Sequence, residues 1–337
     1  MNIKRWVALG IAALLVGVSI IVNSVSAALS TDWTSWLEDY ESTMLETMGS
    51  TVIESGDVSE RIAVLRVEGV IQDTGAASSL FATEGYNHSF FLQQLEEAKN
   101  DESVKGIVLA VDSPGGGVVE SAEIYKDLMK IKDETDKPIY VSMGGMAASG
   151  GYYIAAPADK IFVMKETMTG SIGVILQSVN YGDLAEKYGV EFVTIKTGPY
   201  KDILSPSRDM LPEEEEMLQD MINDSYEEFV RIIAEGRGMS EEEVRKVADG
   251  RILNGRQAIE ANLADDYGFE EDVIAAMKED LDIPGAEVFE YSQEQSLSSL
   301  FGVKAQSFLG LDIETQVISK LITDNQAPRM MYLYGEQ

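Results

Sequence analysis

Cysteine is absent from the 337-residue chain, and histidine occurs once, as His88. Without a thiol there is no thiolate nucleophile, no disulfide, no iron–sulfur cluster and no zinc site that needs sulfur. One histidine excludes HExxH metalloproteases and multi-histidine metal centres, so no metal is expected. It also nearly removes the Ser-His-Asp triad. A hydrolase built from this chain must take its general base from His88, a carboxylate or a lysine. Positive charge is scarce too: 26 Lys and Arg stand against 58 Asp and Glu, a formal net charge of −32. A phosphate backbone is held mainly by Lys and Arg, so the balance argues against nucleic acid and against docking on anionic lipid. It reads as a solvated acidic surface.

Long hydrophobic runs are confined to the N-terminus. Lys4 and Arg5 precede an uncharged stretch from Trp6 to Leu29, strongly apolar as far as Val22. That length lies between a secretory signal and a full span, and Ser24-Val25-Ser26-Ala27 resembles a small-residue cleavage site. The expectation is a signal-anchor over 1–29, with the positive residues on the cytoplasmic side and everything after about residue 30 exported. The protein is thus expected in the cell membrane as a single-pass protein. Trp33, Trp36, Leu37, Tyr40, Met44, Leu45 and Met48 recur at helical spacing over 32–48, and Gly49 to Glu60 reads as a linker. The partition is an anchor (1–29), a juxtamembrane helix and linker (30–58), a main domain (59–290) and a C-terminal extension (291–337).

The main domain alternates strands with helices. Strands are expected at 62–71, 104–113, 138–143, 160–164, 174–179 and 191–196, and helices at 89–100 with Ser89 as N-cap, at 118–132, and from Gly150 through Ala156. Beyond Pro212 an apolar stripe stops at Gly236/Gly238, and Ser240 with Glu243 forms a capping-box pattern. This is an α/β chain with crossover helices.

Two glycine-rich turns follow strands directly. Asp112-Ser113-Pro114-Gly115-Gly116-Gly117 runs into a helix, where free backbone N–H groups face an anion, either a phosphate or the oxyanion of acyl transfer. Neither GxGxxG nor GK[ST] is present, so nucleotide binding has little support, and a structural turn explains the glycines equally well. In Ala147-Ala148-Ser149-Gly150-Gly151, small residues flank a serine between strand and helix, the logic of a nucleophile elbow; a plain helix start has the same signature. An α/β-hydrolase places its histidine after the serine, and His88 precedes it, immediately before a helix, where a surface capping turn is expected. A lysine base remains, since a desolvated lysine loses its proton more readily. Lys160, Lys165, Lys187, Lys196 and Lys201 all follow Ser149 within reach. Spacing does not choose among them, although Lys201 follows a turn suited to returning a side chain to a site.

The elbow GGMAASGGYYIA, the turn DSPGGGVVESAEI, the segment TGSIGV at 169–174 and TGPYKDILSPSRDM at 197–210 together resemble the signal peptide peptidase A family of Ser-Lys proteases, in its short single-anchor Gram-positive form. The resemblance implies Ser149 as nucleophile, Lys201 as general base and Ser171 as the hydroxyl that orients the lysine. It implies an oxyanion hole from the backbone N–H groups of Gly116 and Gly150, with Gly115 and Gly117 binding substrate. It further implies a Clp-protease/crotonase-like α/β superhelix of β-β-α units. No cofactor is implied, and the assembly is a ring-like homo-oligomer, expected as an octamer, whose neighbours help build each site. Substrates would be remnant signal peptides, docked as an added strand along the PGGG segment. The apolar tail from Met330 to Tyr334 is expected to pack on its own subunit, or else to lie in a neighbour's groove as a pseudo-substrate. The alternatives in other classes are a crotonase-like acyl-CoA enzyme and a non-catalytic membrane scaffold.

Overall fold

The computed structural model describes residues 48–73, 86–292 and 329–335. The expected anchor at 1–29 lies outside the described residues, as does the 32–48 stripe apart from Met48. Among the described residues no helix is long and apolar enough to cross a membrane.

The fold is built on a mixed nine-stranded sheet. Its strands are β1 (Gly49–Glu54), β2 (Asp57–Glu68), β3 (Val104–Ser113), β5 (Ile139–Ala148), β6 (Lys160–Val163), β7 (Met168–Gly170), β8 (Ile252–Asn254), β9 (Asp266–Tyr267) and β10 (Ala286–Ser292). The order is β1-β10-β2-β3-β5-β6-β9, with β7 beside β5 and β8 beside β7. The β10–β2, β2–β3, β3–β5, β5–β6, β5–β7 and β6–β9 pairs are parallel, and β7–β8 is antiparallel. A second, two-stranded sheet pairs β4 (Gly115–Gly117) with β11 (Met331–Leu333).

Two cores form because side chains alternate across a strand and both faces of this sheet are covered. Ala63, Leu65 and Val67 of β2, Ile107, Leu109 and Val111 of β3, and Ile139, Val141 and Met143 of β5 enter the larger core. There they meet α1 (His88–Asn100), α2 (Val118–Glu134), α3 (Gly150–Ala155) and the C-terminal half of a long helix at Pro212–Arg237. The intervening residues Ile62, Val64, Val108, Ala110, Tyr140 and Phe162 face Val273, Ile274 and Met277 on the other side. Helix α2 buries Glu120, Ser121, Ile124, Leu128 and Ile131, one stripe at helical spacing.

The remaining helices are α4 (Gly182–Lys187), α5 (Pro212–Arg237), α6 (Glu241–Arg245), α7 (Gly255–Glu260) and α8 (Glu270–Asp280). Helix α5 ends on the left-handed Gly238, and Ser240 caps α6 in a reciprocal box with Glu243. Some expectations fail. The linker proposed for 49–60 contains β1 and the start of β2. Asn87, not Ser89, caps α1, its side chain accepting the Phe90 N–H. Segments 174–179 and 191–196 are not strands. Ile175 makes one isolated bridge, to Met331, and no residue from Gly173 to Glu213 is buried. Apolar alternation marks a segment that can pair, but a strand needs a partner, and among the described residues only Ile175 of this arm finds one.

Candidate active site

Three neighbouring strand ends bring the sequence-predicted residues together. Ser113 pairs with Ala147 between β3 and β5, and Ala148 pairs with Gly170 between β5 and β7. Ser149 and Ser171 therefore leave their strands at the same level of the sheet. Each turns away with positive φ, 53° and 50° respectively. For a residue with a Cβ this conformation costs energy, so the surrounding contacts must hold it. They do: the Ser149 N–H donates to the Gly170 carbonyl and the Ser171 N–H to the Arg251 carbonyl, both at 2.8 Å. Ser149 is the N-cap of α3, which leaves the first-turn amides of that helix, Gly150 among them, facing the turn. Its side chain makes no capping bond, and the residue is 1% exposed.

The glycine turn meets this elbow at close range. A Cβ built on Gly150 would lie 3.0 Å from the Gly116 nitrogen and 2.8 Å from Ser121 Oγ, so only glycine lets the two amides approach. Strand β4 is held from behind by Ile71, whose N–H donates to the Gly115 carbonyl and whose carbonyl accepts the Gly117 N–H, both at 2.8 Å. Ser113 Oγ accepts the Gly115 N–H at 3.0 Å, and Ser121 Oγ donates to the Gly117 carbonyl at 2.9 Å. Both serines are buried. Ser113 and Ser121 stand within the DSPGGGVVESAEI run, but their bracing of β4, like that of Ile71, emerges only from the fold.

The front edge of β4 is occupied by the chain's own tail. Tyr332 pairs antiparallel with Gly116. On either side the Val118 N–H donates to the Met330 carbonyl and the Tyr334 N–H to the Pro114 carbonyl. Hydrogen-bonded pairs alternate along an antiparallel ladder, so Tyr332 and Gly116 exchange the bonds between them. A Cβ on Gly115 (φ +100°) would lie 2.0 Å from the Tyr332 carbonyl oxygen and 2.6 Å from the Gly150 nitrogen. The tail carbonyl is thus paired with Gly116, close to the Gly115 α-carbon, which itself packs against the Gly150 amide. On its outer edge the tail exchanges bonds with Ile175 through Met331. The Tyr332 ring is buried against Tyr153 and Phe229, each with its centroid 4.8 Å away, and its hydroxyl donates to the Ser225 carbonyl. Burial pushes the Tyr332 phenol well above its ordinary pKa. Beside the tail, Ser171 to Ile175, Gln219, Ile222 and Tyr226 line a cavity of about 490 Å³.

No hydrogen bond or strand pairing joins Lys201 to Ser149 or Ser171. The lysine is exposed, in a turn of the arm that follows α4, and its ammonium makes no hydrogen bond or ion pair with any described residue. Among the sequence candidates, Lys196 donates to Asp202 and Lys160 to Asp280. Arg208, bonded to both Asp202 and Glu214, braces this turn, and the Arg208 and Lys196 cations hold the Asp202 carboxyl far below the usual carboxylate range. His88 departs from expectation: it is buried, with Nδ1 2.7 Å from the Tyr86 hydroxyl and Nε2 2.8 Å from Glu123. Both ring nitrogens are engaged away from Ser149. The spacing of His88, Phe91, Leu95 and Ala98 along one face of α1 was the signal for its burial. No group of residues suited to a metal ion occurs among the described residues.

A model of peptidase family S49 matches residues 131–284, and one of Clp protease matches residues 82–170. A protein of Enterococcus faecium named as a signal peptide peptidase SppA is 41% identical over 99% of both chains. The chain belongs to peptidase family S49. A Methanocaldococcus jannaschii protein named as a protease is 37% identical over 68% of this chain and 73% of its own. Protease 4 of Salmonella typhi is 37% identical over 55% of this chain and 30% of its own. Together with the Clp match, the mixed sheet makes this S49 chain a Clp-protease-like α/β fold.

Proposed function

We propose that this S49 peptidase is a serine endopeptidase using Ser149 and Lys201 as a Ser-Lys dyad. It is held to the membrane by residues 1–29 and degrades remnant signal peptides and other extended apolar peptides on the extracytoplasmic face. The observation that carries the reading is the close approach of Gly150, the residue after Ser149, to the Gly116 amide, with a strand of peptide already paired to Gly116. That arrangement is what a tetrahedral oxyanion requires.

In the proposed mechanism neutral Lys201 takes the Ser149 proton and the alkoxide attacks the scissile carbonyl. The amides of Gly116 and Gly150 hold the oxyanion, and the lysine then protonates the leaving amine and activates water for deacylation. Ser171, one strand over from Ser149, orients the lysine. A lysine acts as a base only as the free amine, which burial favours. The exposed position of Lys201, on an arm with Val193 79% and Ile195 97% exposed, supports a homo-oligomer in which one subunit's arm brings Lys201 to its neighbour's Ser149. Substrate enters as a strand on β4, the place now taken by residues 331–333.

The test is labelling by a serine-directed phosphonate followed by peptide mass spectrometry. The adduct is expected on Ser149 and lost in Ser149→Ala. Absence of label, with no turnover of an apolar peptide at alkaline pH, would leave a non-catalytic scaffold instead.

A further inference from the structure

The tail that pairs with β4 also carries a cation to a buried carboxylate at its end. Tyr332 pairs with Gly116, and three residues earlier Arg329 Nη1 donates to Glu120 Oε1 at 2.8 Å. Glu120 stands in the first turn of α2, directly after β4, and its side chain is 8% exposed. Its position is tightly set. A Cβ on Gly117 would lie 1.9 Å from Glu120 Oε2, and the Asp73 N–H donates to Oε1 at 3.2 Å. The charge around it is negative: Glu120, Glu123 and Asp73 all raise the Tyr86 phenol, adding to the effect of burial.

A buried carboxylate is costly without a cation partner. Any substrate strand that displaces the tail removes Arg329 along with it and leaves Glu120 to be paired again. We infer that Glu120 is a substrate subsite for a basic side chain, arginine or lysine, three residues before the one that supplies the scissile carbonyl. The inference rests on the reading of Ser149 as nucleophile and of β4 as the strand that receives substrate. Register does the rest, because pairing with Gly116 places that earlier residue over the start of α2. The subsite gives a strongly acidic enzyme a way to select among apolar peptides by one charge, through a single charge-assisted bond of the kind Arg329 Nη1 makes.

The experiment uses the full-length enzyme and two quenched fluorescent peptides that differ only at that position, one carrying arginine and the other citrulline, its neutral isostere. Both must displace the same tail, so the ratio of their kcat/KM values isolates the charge. Wild type is expected to prefer arginine by about tenfold or more, the scale of one charge-assisted hydrogen bond. Glu120→Gln should bring the ratio close to one while still cleaving the citrulline peptide. Glu120→Asp, which keeps the charge and shortens its reach, should give an intermediate ratio and serves if Glu120→Gln does not fold. Equal rates for the two peptides in wild type, or an unchanged ratio in the variants, with Ser149 still labelled by the phosphonate, would overturn the subsite alone. No cleavage of either peptide and no label on Ser149 would overturn the underlying reading and the subsite with it.

Discussion

The central strands and the arm from Gly173 to Glu213 are both rich in Val, Ile, Phe and Tyr, yet their fates are opposite. Strand β3 buries eight of its ten positions between β2 and β5, whereas the arm buries none. The arm is held by short-range polar contacts instead: Arg208 with Asp202 and Glu214, Lys196 with Asp202, and Asn180 with Asp209. Apolar composition therefore states that a surface will be covered, without stating by what. In β3 the cover is the same chain. In the proposed assembly the arm is covered by another, and Ser149 and Lys201 stand on opposite sides of that division.

The sharpest way to break this comparison is to disable each side separately. Ser149→Ala and Lys201→Ala should each lower peptide turnover by about a thousandfold or more with unchanged melting. Mixing and co-refolding the two variants should restore part of the activity if the lysine acts across subunits. Failure to recover any activity would place both groups in one chain. Next in size, Leu109→Ala in the covered strand should cost about 2–5 kcal/mol in urea unfolding. Ile195→Ser in the arm should cost under about 0.5 kcal/mol of subunit stability, yet lower the sedimentation coefficient by weakening assembly. A pH series sharpens the contrast further. Arg208 depresses the Asp202 and Glu214 carboxyls, so their contribution is present above the ordinary carboxylate range and is lost as pH falls through their lower folded values. Amides at 199–214 should then exchange faster relative to intrinsic rates, while those of β3 stay protected. The smallest effect is expected from Tyr332→Ala. Loss of its packing on Tyr153 and Phe229 should loosen the tail and raise kcat/KM modestly, and an unchanged value would show that the tail does not compete for the groove.

Much of the sheet was legible because its strands carry their own signals. The run at 104–113 matches β3 residue for residue, and the capping box at Ser240 closed as its spacing suggested. The elbow at Ser149 was legible too, since small residues around a serine between strand and helix leave few conformations open. The arm misled because strand pattern reports pairing capacity and not the partner. His88 misled because a residue beside a turn was read by sequence neighbours, while its i, i+3, i+7 companions faced the core. The tail's apolar character was visible, but its seat between β4 and Ile175 was not, nor was the Glu120–Arg329 pair, whose members lie 209 positions apart.

By itself, then, the sequence determined the chemistry that is possible: no thiol, one histidine, a serine between small residues, and a base to be drawn from that histidine, a carboxylate or a lysine. These follow from which side chains exist and how few neighbours a sharp turn tolerates. The tertiary structure alone decided how those parts meet. Strand register set Ser149 beside Ser171, close approach at glycine brought Gly150 to the Gly116 amide, and docking of the tail paired Tyr332 with Gly116. Such contacts depend on distances across the fold, which spacing along a chain does not encode.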